Sequence, residues 1–142
     1  MGGDEQRVKH LELLQATVAR LGQNSFTVRG WSVTLVSVLL ALLAARAAPP
    51  WAALVALAPT LAFWGLDAHY LRQERLFRHL FGAVAEDVRA GTTAVPVFSQ
   101  DTSPYEDRVP SWPATLASPT VVAIPVVLTV LAVAYSLVSP VR

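Results

Sequence analysis

The sequence predicts an all-α integral membrane protein with three transmembrane helices, an N-terminal amphipathic helix and a cytoplasmic extension of the second span. Two observations support this prediction. First, 54% of the 142 residues are hydrophobic and only 15% are charged, which is unusual for a soluble fold. Second, charged and apolar residues are segregated, and three long stretches contain almost no ionisable side chain. We therefore predict a single membrane domain over residues 1–142.

The N-terminal segment, residues 4–23, has the apolar spacing of an amphipathic helix. Its apolar residues recur three or four positions apart, which places them on one face of a helix. These residues are Val8, Leu11, Leu14, Val18 and Leu21. Such a face needs a partner, either the bilayer interface or another helix. We predict that this helix ends near Gly22 and that residues 23–25 form a turn.

Two apolar runs separated by Pro49 and Pro50 predict a transmembrane hairpin, with spans over residues 30–48 and 50–68. Each uncharged run is shorter than the about 20 helical residues that cross a hydrocarbon core. Flanking residues therefore complete each span, and Arg46 can extend its charged group toward the interface. Proline breaks a helix interior but suits its first turn, so the proline pair marks the turn of the hairpin.

The second span is predicted to continue as a cytoplasmic helix over residues 69–90. No proline or other strong stop signal interrupts it before Gly91. Within this helix, Glu74 and Arg78 have the i, i+4 spacing of a stabilising ion pair. About half of the continuous helix would then project beyond the membrane.

Residues 91–118 contain four prolines among Ser, Thr and Asp, a composition that predicts an irregular loop. We interpret the acidic residues of this loop as solvated surface. They are Asp101, Glu106 and Asp107. The third span covers residues 119–138 and carries no charge. Pro125 is expected to kink it, which membrane helices tolerate.

Lysine and arginine are concentrated on one side of this topology. Residues 1–29 carry four of them and residues 69–118 carry five, whereas the hairpin turn carries only Arg46 and the C-terminal tail only Arg142. The positive-inside rule therefore places the N-terminus and the central segment in the cytoplasm and the C-terminus outside. The bilayer itself is the first predicted partner.

Two other topologies compete with this one. The first run could be a cleaved signal peptide, but a leader of 29 residues before it is too long. The apolar runs could also form a buried hairpin in a soluble protein. The uncharged third run and the placement of the tryptophans near predicted interfaces argue against a soluble fold. These tryptophans are Trp31, Trp51, Trp64 and Trp112.

Several function classes fit the composition poorly. A net charge of +1 provides no dense basic surface for nucleic acid. The chain has no cysteine, so thiol catalysis and disulfides are excluded. His10, His69 and His79 form no metal-binding pair, so we expect them on helix surfaces, and we predict no cofactor. No catalytic motif is present, and we do not expect an enzyme.

Asp67 is the ionisable residue that most invites a functional interpretation. It directly follows an apolar run at the cytoplasmic boundary, where a carboxylate is costly unless it is paired or hydrated. Arg29 stands at the matching boundary of the first span. We predict that Asp67 pairs with Arg29 or Arg72 and fixes the depth of the hairpin. The alternative makes Asp67 part of a gate or an ion vestibule.

Small residues recur at i, i+4 spacing on both spans of the hairpin. They are Ser37, Ala41 and Ala45 on the first span and Ala52, Ala56 and Thr60 on the second. Such spacing lets helix backbones approach closely. Packing within one hairpin explains the pattern, and self-association is the other interpretation. The few polar side chains in the spans argue against a channel built from charged rings but permit a hydrophobically gated pore.

Two segments carry a family resemblance: NSFTVRGWSVTL at 24–35 and FWGLDAHYLRQERLFRHL at 63–80. Together with LELLQ at 11–15, they resemble a group of small bacterial multi-pass membrane proteins with NSFxxRGW and FWxLDxxYLRxE signatures. The resemblance covers residues 8–82 and not the loop or the third span. It implies a location in the bacterial inner membrane and a link to defence operons.

The signature positions surround one cytoplasmic interface, where the N-terminal helix enters the bilayer and meets the second helix. The candidate structural or gating junction consists of Arg29, Trp31, Trp64, Asp67, Tyr70, Arg72, Glu74 and Arg75. The leading functional hypothesis is a non-enzymatic, self-associating membrane effector or pore that responds to a cytoplasmic protein partner. The alternative is a passive membrane adaptor or anchor that recruits a partner through its amphipathic helices.

Overall fold

A computed structural model describes residues 2–46 and 48–138, and the described residues are helical without any β-strand. The elements are α1 (Gly3–Ala45), a 3₁₀ helix (Pro50–Ala56), α2 (Leu57–Ala90), a 3₁₀ helix (Ser103–Arg108), α3 (Trp112–Leu116) and α4 (Pro119–Val138). Three of these are long and apolar enough to cross a membrane: α1, the unit from Pro50 to Ala90, and α4. The predicted all-α class is confirmed. The C-terminal tail with Arg142, and Ala47 of the first span, lie outside the described residues.

α1 is one continuous helix of 43 residues, about 64 Å long at 1.5 Å per residue. The predicted turn at residues 23–25 is therefore wrong. Gln23, Asn24 and Ser25 have only moderate helix propensity, but the packing of α1 on α2 outweighs that preference. Consequently, the predicted amphipathic helix 4–23 and the predicted first span belong to a single rod, whose α-helix ends at Ala45.

α1 and α2 pack against each other as a long antiparallel hairpin. The buried residues of α1 are His10, Leu14, Ser25, Ser32 and Val36, and those of α2 are Thr60, Asp67, Ala68, Leu76, Leu80 and Val84. Leu14 of the predicted N-terminal stripe is buried, whereas Val8 is 53% exposed, so the stripe was only partly right. The buried face is instead defined by contact with α2.

The return arm of the hairpin begins as a 3₁₀ helix and becomes α-helical only at Leu57. Ala53 and Ala56 of this 3₁₀ helix are completely buried. From Leu57 the α-helix runs without interruption to Ala90, as predicted, and ends at Gly91. Gly91 has a left-handed conformation with φ of 68°, which glycine adopts readily because it lacks a Cβ atom.

Residues 92–110, here called the strap, return along the half of the hairpin that is predicted to be cytoplasmic. The predicted loop is irregular only in part, because the strap contains the 3₁₀ helix Ser103–Arg108 and is followed by α3. Tyr105 and Val109 are buried in a cluster with Leu14, Leu76 and Leu80. These apolar contacts hold the strap on one face of the hairpin, which gives this half its own core.

α4 begins at Pro119, extends through Val138, the last residue that the structure describes, and packs on the half of the hairpin that is predicted to lie in the membrane. A second core joins Val36 of α1, Ala56 of the 3₁₀ helix, and Leu128 and Ala132 of α4. Pro125 lies inside α4 and is buried. Its expected kink stays a prediction. The small alanines let the three spans approach closely.

The outward faces of the spans are strongly apolar. In the most apolar 18-residue stretch of α1 only 11% of the residues are buried. Exposed bulky side chains on α4 include Val126, Val127, Val130 and Leu131. A soluble monomer rarely exposes so large a contiguous apolar surface. The structure therefore favours a membrane protein over the buried soluble hairpin.

Candidate functional site

Asp67 lies at the point where α1 and α2 meet α4, and only 3% of the residue is exposed. The Ser25 hydroxyl donates a hydrogen bond to Oδ1 of Asp67. Arg29 donates from Nε to Oδ2 at 2.7 Å. Of the two predicted partners, Arg29 is confirmed. Both carboxylate oxygens are thus engaged, as a buried charge requires.

Helix geometry explains why both partners reach the same carboxylate. Ser25 and Arg29 are four residues apart on α1, so they lie one above the other on one helix face. This face is directed at α2, which carries Asp67. Because α1 is continuous through residues 23–25, the two donors have fixed positions relative to the carboxylate. A turn at Ser25 would have separated them.

The polar group borders a small pocket at the three-helix contact. Its volume is about 10 Å³, and it is lined by Arg29, Ser32, Phe63, Trp64, Asp67, Ile124 and Pro125. A volume of that size corresponds to roughly one water molecule. Within the described part of one chain, the junction is therefore closed. This geometry favours the interfacial-pair interpretation of Asp67 over the vestibule.

Two tryptophans join α2 to the segment that precedes α4. The indole N–H of Trp64 donates to the backbone carbonyl of Leu116 at 3.1 Å. The Trp112 ring packs over Gly65, where an added Cβ atom would stand 3.6 Å from it. An alanine at position 65 would therefore make ordinary van der Waals contact with this ring. Trp31, in contrast, is 63% exposed and takes no part in the junction.

The remaining predicted site residues follow α2 away from Asp67. Tyr70 is half-buried, with its ring edge-on to His69. Arg72 donates to the Pro110 carbonyl at 3.3 Å, so it holds the strap and not Asp67. The structure therefore brings together Arg29, Trp64 and Asp67 but does not unite the whole predicted set.

Glu74 and Arg78 form the predicted ion pair, with 2.6 Å between Oε1 and Nη2. The Glu74 carboxylate also lies against α1 at Gly22, where a Cβ atom would be 3.6 Å from Oε2. Arg75 is half-buried, and no carboxylate within residues 2–46 and 48–138 pairs with it. Because Arg78 is paired with Glu74, the net positive charge of this part of α2 corresponds to Arg75.

His10 is buried and helps to hold the strap, so its predicted position on the helix surface is wrong. Only 2% of the residue is exposed, and Nε2 lies 2.8 Å from the Ser99 carbonyl oxygen. Because a carbonyl only accepts, Nε2 carries the proton in this contact. The strap also packs Phe98 near the imidazole, with 6.0 Å between the ring centroids. The long sequence separation hid this contact.

Asp87 holds the beginning of the strap. It accepts hydrogen bonds from the Thr92 hydroxyl at 2.6 Å and from the Val95 backbone N–H at 2.7 Å. Both hydrogen bonds lower the pKa of Asp87 below its ordinary value, and the one from Thr92 has the larger effect. Among the described residues, no group of three or more His, Asp and Glu side chains is arranged to hold a metal ion.

The two small-residue patterns of the hairpin have different surroundings. Ala56 and Thr60 are buried against the other spans. Ser37, Ala41 and Ala45 of α1 are all exposed. Packing within the hairpin therefore accounts for the second pattern and not for the first.

Comparisons with family models, with curated proteins and with solved structures find no match. The resemblance to small bacterial membrane proteins with NSFxxRGW and FWxLDxxYLRxE signatures therefore stays a prediction. Within that signature, the structure gives Ser25, Arg29 and Asp67 a shared physical role, because they form one buried polar group. Ser25 was not among the candidate site residues, although its spacing from Arg29 was a usable signal.

Proposed function

We propose that this chain is a non-enzymatic multi-pass protein of the bacterial inner membrane that assembles with copies of itself and acts as a membrane effector controlled by a cytoplasmic partner. The single observation that carries the proposal is a ridge of small residues on the outward face of α1 within the membrane half, a face that also exposes bulky residues such as Val38 and Leu42. The ridge residues recur three or four positions apart. They are Gly30, Thr34, Ser37, Ala41 and Ala45, and all are exposed.

The small ridge on α1 differs from the outward face of α4. There, the exposed residues are mainly bulky, such as Val127, Val130 and Leu131. Bulky apolar side chains suit contact with lipid tails, whereas small ones let a second helix approach and gain van der Waals contact. The hydroxyls of Thr34 and Ser37 could also bond across such a contact. The continuous row of small residues on α1, which the described residues of α4 lack, supports helix–helix association through α1.

The proposed orientation has the N-terminus, the strap and the cytoplasmic half of the hairpin inside the cell. It follows from the uneven distribution of lysine and arginine. The Arg29–Asp67 pair would then lie at the cytoplasmic end of the spans and set the depth of the hairpin. The strap-covered half would be the part that meets a cytoplasmic protein.

An effector that conducts or disturbs the membrane would need several copies. The junction pocket of one chain has a volume of about 10 Å³, which gives no continuous water path. The polar atoms of Asp67 are engaged by Ser25 and Arg29, so the carboxylate has a structural role in the proposal. A lumen, if formed, would lie between copies.

Replacing a ridge residue tests the assembly. We expect Ala41→Leu to shift the detergent-solubilised or nanodisc-embedded protein from oligomer to monomer in native mass spectrometry, because leucine prevents the close approach of helices. Ala134→Leu is the matched control, because Ala134 is also exposed but lies on α4. A monomeric unsubstituted protein, or equal effects of both substitutions, would contradict the assembly.

A passive membrane adaptor is the second candidate. The observation that favours it is the separate cytoplasmic core of Leu14, Leu76, Leu80 and Tyr105, which gives a folded platform outside the spans. A membrane-potential dye separates the candidates. An effector should depolarise cells on expression, and Ala41→Leu should abolish that effect. An adaptor should leave the potential unchanged in both cases.

A further inference from the structure

The face of the cytoplasmic hairpin that the strap leaves open carries a groove between α1 and α2. Its volume is about 410 Å³, and it is lined by Gln15, Val18, Arg78 and Phe81. Val18 and Phe81 supply an apolar floor, and Arg78, which is paired with Glu74, lies at the rim on α2. Arg75 lies three residues before Arg78, on the same side of the helix. The groove is therefore apolar at its base, and Glu74, Arg75 and Arg78 together give one edge a net charge of +1.

The strap presents the opposite charge on the other face of the hairpin. Its exposed acidic residues are Asp101, Glu106 and Asp107, and with the exposed Arg108 they give the strap a net charge of −2. Asp101 accepts hydrogen bonds from the Ser103 hydroxyl and backbone N–H, which lower the pKa of Asp101. It therefore stays ionised at neutral pH. One chain thus carries a basic groove on one face and an acidic surface on the other.

We propose that the groove of one copy receives the acidic strap of a neighbouring copy, so that the cytoplasmic halves assemble head to tail. This inference rests on the proposed self-association and names the contact that organises it. A symmetric contact of groove with groove would place Arg75 and Arg78 against the same arginines of the partner. Strap against groove brings opposite charges together, and the apolar floor adds buried area.

The two surfaces lie at the same level along the hairpin. Tyr105, next to Glu106 in the strap, stacks on His79 of α2, with 6.5 Å between the ring centroids. Arg78 and Phe81, which line the groove, are the neighbours of His79 in the same helical turn. Arg78 is two residues from both Leu76 and Leu80 under the strap, about 200° around the helix.

Because the groove and the strap lie at the same level, neighbouring copies in one bilayer can bring them into contact. Copies that share one bilayer have the same depth and the same orientation. A contact that joins surfaces at one level on opposite faces permits this arrangement without shifting any copy along the membrane normal. Repeating a head-to-tail contact in one bilayer gives a ring if the rotation about that normal closes and an open row if it does not. In both assemblies the hairpins of neighbouring copies are parallel.

Disulfide crosslinking in membranes tests the contact, because the chain has no cysteine of its own. We expect the double variant Gln15→Cys/Glu106→Cys to give a ladder of dimers and higher species on oxidation, read on a non-reducing gel. Each single variant alone should give no crosslink. Coexpressed single variants should stop at dimers. Lys9→Cys/Glu106→Cys is the control pair, because Lys9 is exposed but does not line the groove.

Charge reversal provides the second test. Arg75→Glu in the double-cysteine background should lower the ladder yield by about tenfold, the change expected for a loss of 1.4 kcal/mol. Adding Asp107→Arg should restore the yield, which a folding defect would not permit. Crosslinking of either single variant, or an equal ladder from the control pair, would overturn the head-to-tail contact. Oligomers in native mass spectrometry without a ladder would overturn this contact alone, whereas monomers would overturn the proposed self-association as well.

Discussion

At the scale of single residues, the polar group around Asp67 has the largest predicted effect on stability. The carboxylate side chain is 5% exposed, and Arg29 is 29% exposed. Removing one partner of a buried ion pair leaves an uncompensated charge, which costs about 3–5 kcal/mol. Removing both partners eliminates that charge. The two substitutions should therefore be strongly non-additive.

The coupling can be measured with three variants: Arg29→Ala, Asp67→Ala and the double variant. Each single substitution should lower the unfolding free energy by about 3–5 kcal/mol, and the double variant should lose less than the sum. Unfolding in detergent can be followed by tryptophan fluorescence. Arg20→Ala, at an exposed position of α1, is the control and should have little effect. Additive losses would show that Arg29 and Asp67 are not coupled.

Sequence patterns identify some of this site and miss the rest for physical reasons. A carboxylate directly after an apolar run demands a partner, which is why the Arg29–Asp67 pair was predictable. Ser25 was assigned to a turn because local propensity gave no sign of the long contact between α1 and α2. His10 binds Ser99, a residue 89 positions away, and no local pattern encodes that contact.

At the scale of elements, the strap combines apolar contacts with a small number of polar ones. Tyr105 and Val109 enter the core that contains Leu14 and Leu76, Arg72 donates a hydrogen bond to Pro110, and Asp87 accepts hydrogen bonds from Thr92 and Val95. Proline-rich composition correctly indicated an irregular segment. It could not indicate docking, because the buried contacts join residues distant in sequence. Of these polar contacts, the one made by Asp87 depends on pH.

Acidification should loosen the beginning of the strap. The folded state lowers the pKa of Asp87, so its hydrogen bonds stabilise the fold above the ordinary pKa of the carboxyl, and this stabilisation is lost as the pH falls through the lowered pKa. Hydrogen exchange of the Val95 amide, corrected for the intrinsic pH dependence, should lose protection at low pH. Asp87→Asn should lack this pH dependence. If the Val95 amide of Asp87→Asn were as protected as that of the unsubstituted protein at every pH, the proposed role of Asp87 would be contradicted.

At the scale of the whole molecule, apolar composition predicted three spans, and three helices of the described residues are long and apolar enough to cross a membrane. The distribution of lysine and arginine adds a prediction that apolar runs cannot give, because it assigns each end of the hairpin to one side of the membrane. The turn of the hairpin and the strap should therefore be on opposite sides. Since α1 and α2 are continuous rods, no rearrangement of a loop can place both on the same side.

Labelling of introduced cysteines tests this orientation against a cysteine-free background. A membrane-impermeant maleimide should label Trp51→Cys in intact spheroplasts, because Trp51 is 67% exposed at the hairpin turn and only Arg46 lies nearby to retain it inside. Gln100→Cys, at an exposed strap position, should react only after the membrane is opened. The reverse pattern would place the nine basic residues of the segments 1–29 and 69–118 outside and contradict the proposed topology. Labelling of both positions in intact cells would show that the two segments do not lie on opposite sides.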